Sequence, residues 1–207
     1  MKRLVKLTFA ALLLSLAMPL LNAQKETTSP KIDRYQKGCD EGDADSCNML
    51  AIGYEYGLGV AEDGARALAL YRKAAGLFRK QCDGGVAKGC NELGMLYQTG
   101  SAGPQDDALA VGLYRKTCNG GDQRGCSLLA SMLKEGRGVA QDLAQALALL
   151  RKACDTDYGD GCLDLGYMFE DGKGVTQDKA QALALFRKAC DLRVKEACSE
   201  IKNQTQK

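Results

Sequence analysis

The sequence predicts an all-α solenoid, in which pairs of helices stack in line and are stapled by disulfides. Three observations predict it. The ten cysteines form five pairs, Cys39/Cys47, Cys82/Cys90, Cys118/Cys126, Cys154/Cys162 and Cys190/Cys198, each eight residues apart. The second members at 90, 126, 162 and 198 recur every 36 residues, a period typical of helical-repeat arrays. Strand signals are absent: valine is sparse and no apolar run alternates.

The chain opens with MKRLVKLTFAALLLSLAMPLLNA. Lys2, Arg3 and Lys6 form a basic start, Leu7 to Leu21 an apolar stretch broken by Pro19, and small Ala23 precedes a cut. This reads as a cleavable secretory signal peptide over residues 1–23, because the apolar run is short for a membrane span. An uncleaved anchor is the competing reading. No cysteine follows the cut to carry a lipid. The mature chain is therefore expected in the periplasm or secreted, with no membrane span, where disulfides persist. Cleavage lowers the basic count from 28 to 25 against 26 acidic residues, turning a net charge of +2 into −1. That balance gives no electrostatic reason to expect nucleic acid or an anionic membrane as partner. Residues 24–32 read as a linker, 33–200 as the solenoid and 201–207 as a polar tail.

Zinc sites in sequence usually show close CxxC knuckles or interspersed histidine, and redox dithiols usually need CxxC. Here there is neither CxxC nor any histidine. An even cysteine count in an exported chain points to five local disulfides, Cys39–Cys47, Cys82–Cys90, Cys118–Cys126, Cys154–Cys162 and Cys190–Cys198, with no metal.

Each repeat then reads as two helices. The first starts near the second cysteine and carries Leu165, Gly166 and Phe169, or Leu93, Gly94 and Tyr97, at helical spacing. It ends at a GxGV turn such as Gly172 to Val175, where glycine accepts the positive φ of a helix C-terminus. Asp142 and Asp178 stand where N-caps would open the second helix. Within that helix Ala146, Leu149, Leu150 and Ala153 make an apolar stripe. Its closing Arg-Lys suits the negative end of the helix dipole, and Gly42, Gly85 and Gly121 permit the reversal into the next unit.

Two stretches depart from the pattern. LALYRKAAGLFRKQC writes the L-aromatic-R-K phrase twice, Leu70 to Lys73 and Leu77 to Lys80. Seven extra residues are nearly two turns, so Phe78 returns to the face of Tyr71, and the second helix should be longer by about 10 Å. In GSAGPQD, Ala102-Gly103-Pro104 replaces the GxGV phrase, so that turn must have another shape. Neither change suggests a chemical role.

The LGxxY/F, GxGVxxD and ALALFRKAC phrases resemble the Sel1-like repeats, relatives of the tetratricopeptide repeats. The cysteines eight apart resemble the family's exported, cysteine-rich bacterial branch. The resemblance covers about residues 33 to 200 as a half unit, four full units and a closing half helix. It implies a right-handed α/α solenoid with a concave face lined by the first helix of each pair. By likeness to the tetratricopeptide repeats, the inner positions lie one, five and eight residues after the second cysteine. These are Asn48, Ile52 and Glu55; Asn91, Met95 and Gln98; Ser127, Ser131 and Lys134; and Leu163, Tyr167 and Glu170. Mixed apolar anchors with polar edges suit an extended or helical peptide. Tyr167 is the expected hot spot, free enough of the core that Tyr167→Ala should spare stability.

Without histidine, a Ser-His or Cys-His nucleophile pair is excluded. Ser131-Met132-Leu133-Lys134 forms an SxxK, which resembles the nucleophile motif of β-lactamases and penicillin-binding proteins, a role described for some cysteine-rich members of the repeat family. Its SDN and KTG companions are missing, the nearest being Lys116-Thr117-Cys118. The expected function is therefore non-enzymatic binding of a protein, a peptide or a cell-envelope ligand by a monomer, without cofactor. A hydrolase using Ser131 and Lys134 is the first rival. A structural envelope assembly factor is the second.

Overall fold

Ser29 accepts a hydrogen bond from the Ile32 N–H at 3.4 Å, and Pro30 occupies the first helical turn, where its missing N–H costs nothing. The computed structural model describes residues 29–205, so the signal peptide expected over 1–23 lies outside the described residues. The opening helix α1 (Pro30–Asp40) begins inside the stretch read as a linker, because Ser29 caps it and Ile32 is buried. Four helix pairs follow: α2 (Ala44–Tyr56) with α3 (Gly64–Asp83), α4 (Ala87–Thr99) with α5 (Asp107–Asn119), α6 (Gln123–Glu135) with α7 (Leu143–Asp155), and α8 (Gly159–Asp171) with α9 (Lys179–Asp191). A last helix, α10 (Lys195–Thr205), runs into the expected tail, with Ile201 packed against the core.

The sequence explains the helix ends. Asp63, Asp106, Asp142 and Asp178 each accept the backbone N–H three residues on and so cap α3, α5, α7 and α9. Gly57, Gly100, Gly136 and Gly172 close α2, α4, α6 and α8 in the left-handed region. After three of these glycines the next N–H reaches five residues back, as in Lys173 to the Met168 carbonyl at 2.9 Å. After Gly100 the Ser101 N–H turns instead to Thr99 Oγ1 at 3.4 Å, the altered turn expected from the AGP phrase. The reversals at Gly42, Gly85 and Gly121 have φ between +82° and +89°. In the last two units Asp157 and Arg193 hold the same place at +60° and +70°.

Five disulfides join Cys39–Cys47, Cys82–Cys90, Cys118–Cys126, Cys154–Cys162 and Cys190–Cys198, with Cα separations of 4.4–4.8 Å. Each ties the end of one unit's second helix to the start of the next unit's first helix. A second link crosses the same boundary. Lys73, Lys116 and Lys188 donate their ammonium groups to the carbonyls of Cys39, Cys82 and Cys154, at 2.7, 3.1 and 2.7 Å. Each lysine therefore satisfies a helix C-terminus in the unit before its own, where a cation is also favoured by the dipole.

Helix α3 has 20 residues where α5, α7 and α9 each have 13. The seven inserted residues continue the helix in phase, because Tyr71 and Phe78 are both buried. The consequence lies in the stacking. Helix α4 packs directly on α6 and α6 on α8, whereas α2 and α4 make no comparable contact. The apolar core divides at the same place. One cluster runs from α1 to Leu93 and Leu96 of α4, and another from α5 to Ala197 of α10.

Candidate functional site: the concave face

Where first helices touch their counterparts in neighbouring units and second helices do not, the stack must curve toward the first helices. Helices α4, α6 and α8 therefore line the concave face, and α2 holds the equivalent place in the first full unit. Positions five and eight after the second cysteine are half-buried there: Ile52 and Glu55, Met95 and Gln98, Ser131 and Lys134, Tyr167 and Glu170. The first position is different. Asn48 is half-buried, but Asn91, Ser127 and Leu163 are buried at 1%, 6% and 6% exposure. Those three were expected on the open surface and instead sit in the packing between units. Asn91 shows why. Its amide donates to Asp122 Oδ1 and accepts from Thr117 Oγ1, both at 2.7 Å, while Asp122 caps α6 through the Gly125 N–H. A buried amide satisfied by both of these partners is a structural link between units.

Tyr167 is also more occupied than expected. Its ring meets fully buried Phe186 edge-to-face at a centroid distance of 5.2 Å, and its hydroxyl donates to Glu196 Oε1 at 3.2 Å. Burial first, and then the Glu196 and Glu200 carboxylates, push its phenol pKa well up. An edge-to-face pair is worth about 0.5–1.5 kcal/mol beyond buried area, so removing this ring costs stability as well as surface.

The eighth position is set by the facing second helix. Glu55 accepts from the Tyr71 hydroxyl, and Gln98 Oε1 accepts from Tyr114 at 2.9 Å. Both tyrosines have raised pKa values, chiefly through burial. Leu150 and Phe186 occupy the equivalent places in the last two full units, so Lys134 and Glu170 have no such phenol to meet. Asp164 lies near Lys134, and burial lifts its carboxyl above the usual range against that lysine's pull. In the SxxK, the Ser131 hydroxyl bonds Glu135 Oε1 at 3.4 Å.

The separation of α2 from α4 opens a groove of about 370 Å³, whose lining includes Asn48, Ile52, Glu55, Tyr71, Glu92 and Met95. Four inner positions predicted from sequence thus meet in one recess. Glu92 Oε1 is held by Arg124 at 2.7 Å, whose other terminal nitrogen lies 3.3 Å from Met95 Sδ. Asn48 Oδ1 is buried with no hydrogen-bond partner among the described residues. Sequence reasoning did not find Glu92 or Tyr71. The doubled helix phrase marks the opening they share, but only once its effect on stacking is known.

These helix pairs, stapled at every junction and curved about their first helices, define a helical-repeat solenoid. Residues 44–77, 87–122, 123–157 and 159–194 match the Sel1 repeat, and the chain belongs to the Sel1-repeat family. Among solved structures it is similar to c5321, a protective antigen of uropathogenic Escherichia coli, with 26% identity and a TM-score of 0.55. That match covers 82% of this chain and 35% of the antigen, so the chain corresponds to about a third of that protein. A Sel1 repeat protein from Oxalobacter formigenes matches at 19% identity and a TM-score of 0.55, over 82% of this chain and 73% of that one. Cysteine-rich protein B of Helicobacter pylori matches at 30% identity and a TM-score of 0.45, over 67% and 94%. No curated protein matches significantly.

Proposed function

We propose that the protein is an exported scaffold that binds a peptide segment of another protein along its concave face, centred on the α2–α4 groove. The signal-like N-terminus and ten cysteines support export. One observation carries the binding reading: Asn48, Ile52, Glu55 and Met95, chosen from repeat position alone, line one groove with an apolar centre and polar ends. Asn48, Ile52 and Glu55 share one helix face over seven residues, about 10 Å. That is the reach of roughly three residues of extended peptide. The Asn48 amide and the Glu55 carboxylate put polar groups at the two ends, so the segment should bring polar groups to the ends and an apolar side chain between them.

Selecting peptides from a random display library on the oxidised chain tests this. Binding of selected peptides should fall at least about tenfold in Ile52→Glu, about 1.4 kcal/mol, and stay unchanged in Arg115→Glu at an exposed position of the second helix α5. Peptides that bind the Ile52 variant as tightly as wild type would place recognition elsewhere. For the SxxK, Ser131→Ala is expected to leave any β-lactam turnover unchanged. A hydrolysis rate abolished by that substitution, or acylation of Ser131 by penicillin, would establish the hydrolase instead.

A further inference from the structure

The two departures from the repeat pattern meet in space. Next to the α2–α4 groove, with Leu96 common to both linings, the extra turns of α3 and the altered turn after α4 enclose a pocket of about 320 Å³, lined by Arg72, Gly76, Arg79, Leu93, Tyr97 and Pro104 among others. The Arg72 Nε–H donates to the Ala102 carbonyl at 3.3 Å, and Arg79 Nη2 donates to the Tyr97 hydroxyl. Arg72 thus fastens the long helix to the substitute turn at one end of the pocket, and Arg79 fastens it to α4 at the other. Its volume falls at the lower end of the range for small-molecule sites.

We propose that this pocket binds a compact apolar molecule bearing one carboxylate. Charge and shape together carry the assignment. Arg72 and Arg79 lie seven residues apart on one face of α3, about 10 Å along the axis, so two guanidinium groups flank the recess. Its lining contains no acidic residue, and among the described residues neither arginine forms an ion pair. Guanidinium groups favour carboxylates through paired, charge-assisted hydrogen bonds. Between them the floor is apolar: Leu93 and Leu96 from α4, Pro104 from the turn and Ala75 from α3, with the ring of Tyr97 at one wall. Gly76 stands midway, and a Cβ added there would meet nothing within 4 Å. That bare stretch of backbone is what leaves room for an apolar body between the two charges. The third and fourth full units lack both the inserted turns and the AGP turn, so the site is particular to this junction.

The test uses naphthalene-2-carboxylate, with naphthalene-2-carboxamide as its uncharged counterpart, titrated into the oxidised chain and followed by backbone-amide NMR. The carboxylate is expected to shift amides of residues 72–79 and 97–104 and to bind at least about tenfold more tightly than the carboxamide. Arg72→Gln with Arg79→Gln should erase that preference. Gly76→Leu should abolish binding of both probes, and because leucine favours a helix over glycine and meets open space, its melting temperature should not fall. Unshifted amides in those two segments, equal affinity for the two probes, or undiminished binding by the folded Gly76→Leu variant would each overturn the assignment. Shifts confined to the α2–α4 groove would do so as well.

Discussion

Full reduction of the five disulfides is expected to abolish the cooperative fold at room temperature. Each bridge closes a nine-residue loop, and the loop-entropy model assigns such a closure about 2–3 kcal/mol. Five together contribute about 10–15 kcal/mol, as much as the whole net stability of an ordinary domain, about 5–15 kcal/mol. A solenoid has little to set against that loss. Every unit contacts only its neighbours, the core is split at the α3 insertion, and much of the packing is alanine and cysteine. Eight of the ten cysteines are buried, so reduction also disturbs the seams where the units meet. Far-UV circular dichroism during urea titration, with and without reductant, measures the effect. A reduced chain with the same helical signal and urea midpoint as the oxidised one would show that packing alone holds the stack.

Gly166→Ala is expected to destabilise the fourth full unit by about 1–3 kcal/mol, the usual cost of overfilling a packed core. A Cβ on Gly166 would stand 2.5 Å from Phe186 Cε1, and one on Gly94 would stand equally close to Tyr114 Cε1. The third full unit shows the relief: Ala130 occupies the glycine's place and Leu150 the ring's, both buried. Gly166→Ala with Phe186→Leu should therefore be more stable than Gly166→Ala alone, although the smaller side chain gives up the contact with Tyr167. Thermal melts of the two variants decide it. A double variant less stable than the single one would mean that glycine serves another purpose here. The first full unit pairs Ala51 with Tyr71, and its second helix is also the one that carries the insertion.

Most of the fold was legible in the chain because it rests on local rules. Asp142 and Asp178 cap helices because a carboxylate reaches the N–H three residues on. Phe78 returns to the face of Tyr71 because seven residues are nearly two turns. The reversals were less legible. Glycine predicts three of them, but Asp157 and Arg193 accept the same positive φ in the last two. The site was legible only in part. Repeat position located Ile52, Glu55 and Met95 in the concave groove, yet it could not separate them from Asn91, Ser127 and Leu163, whose burial depends on the neighbouring unit.

The sequence by itself determined the helix pairs, their caps, the cysteine spacing and the added length of α3, since each follows from the periodicity of one stretch of chain. Only the tertiary structure decided what neighbouring units do to one another. The arginine-lysine phrase looks like the closing charge of its own helix, but Lys73, Lys116 and Lys188 bond carbonyls 34 residues earlier. The inserted turns look like extra length, but they part α2 from α4 and, with the AGP turn, frame a second pocket. The physical reason is shared. Local structure is fixed by backbone geometry over four to seven residues, whereas burial and recess depend on how adjacent repeats are displaced when stacked.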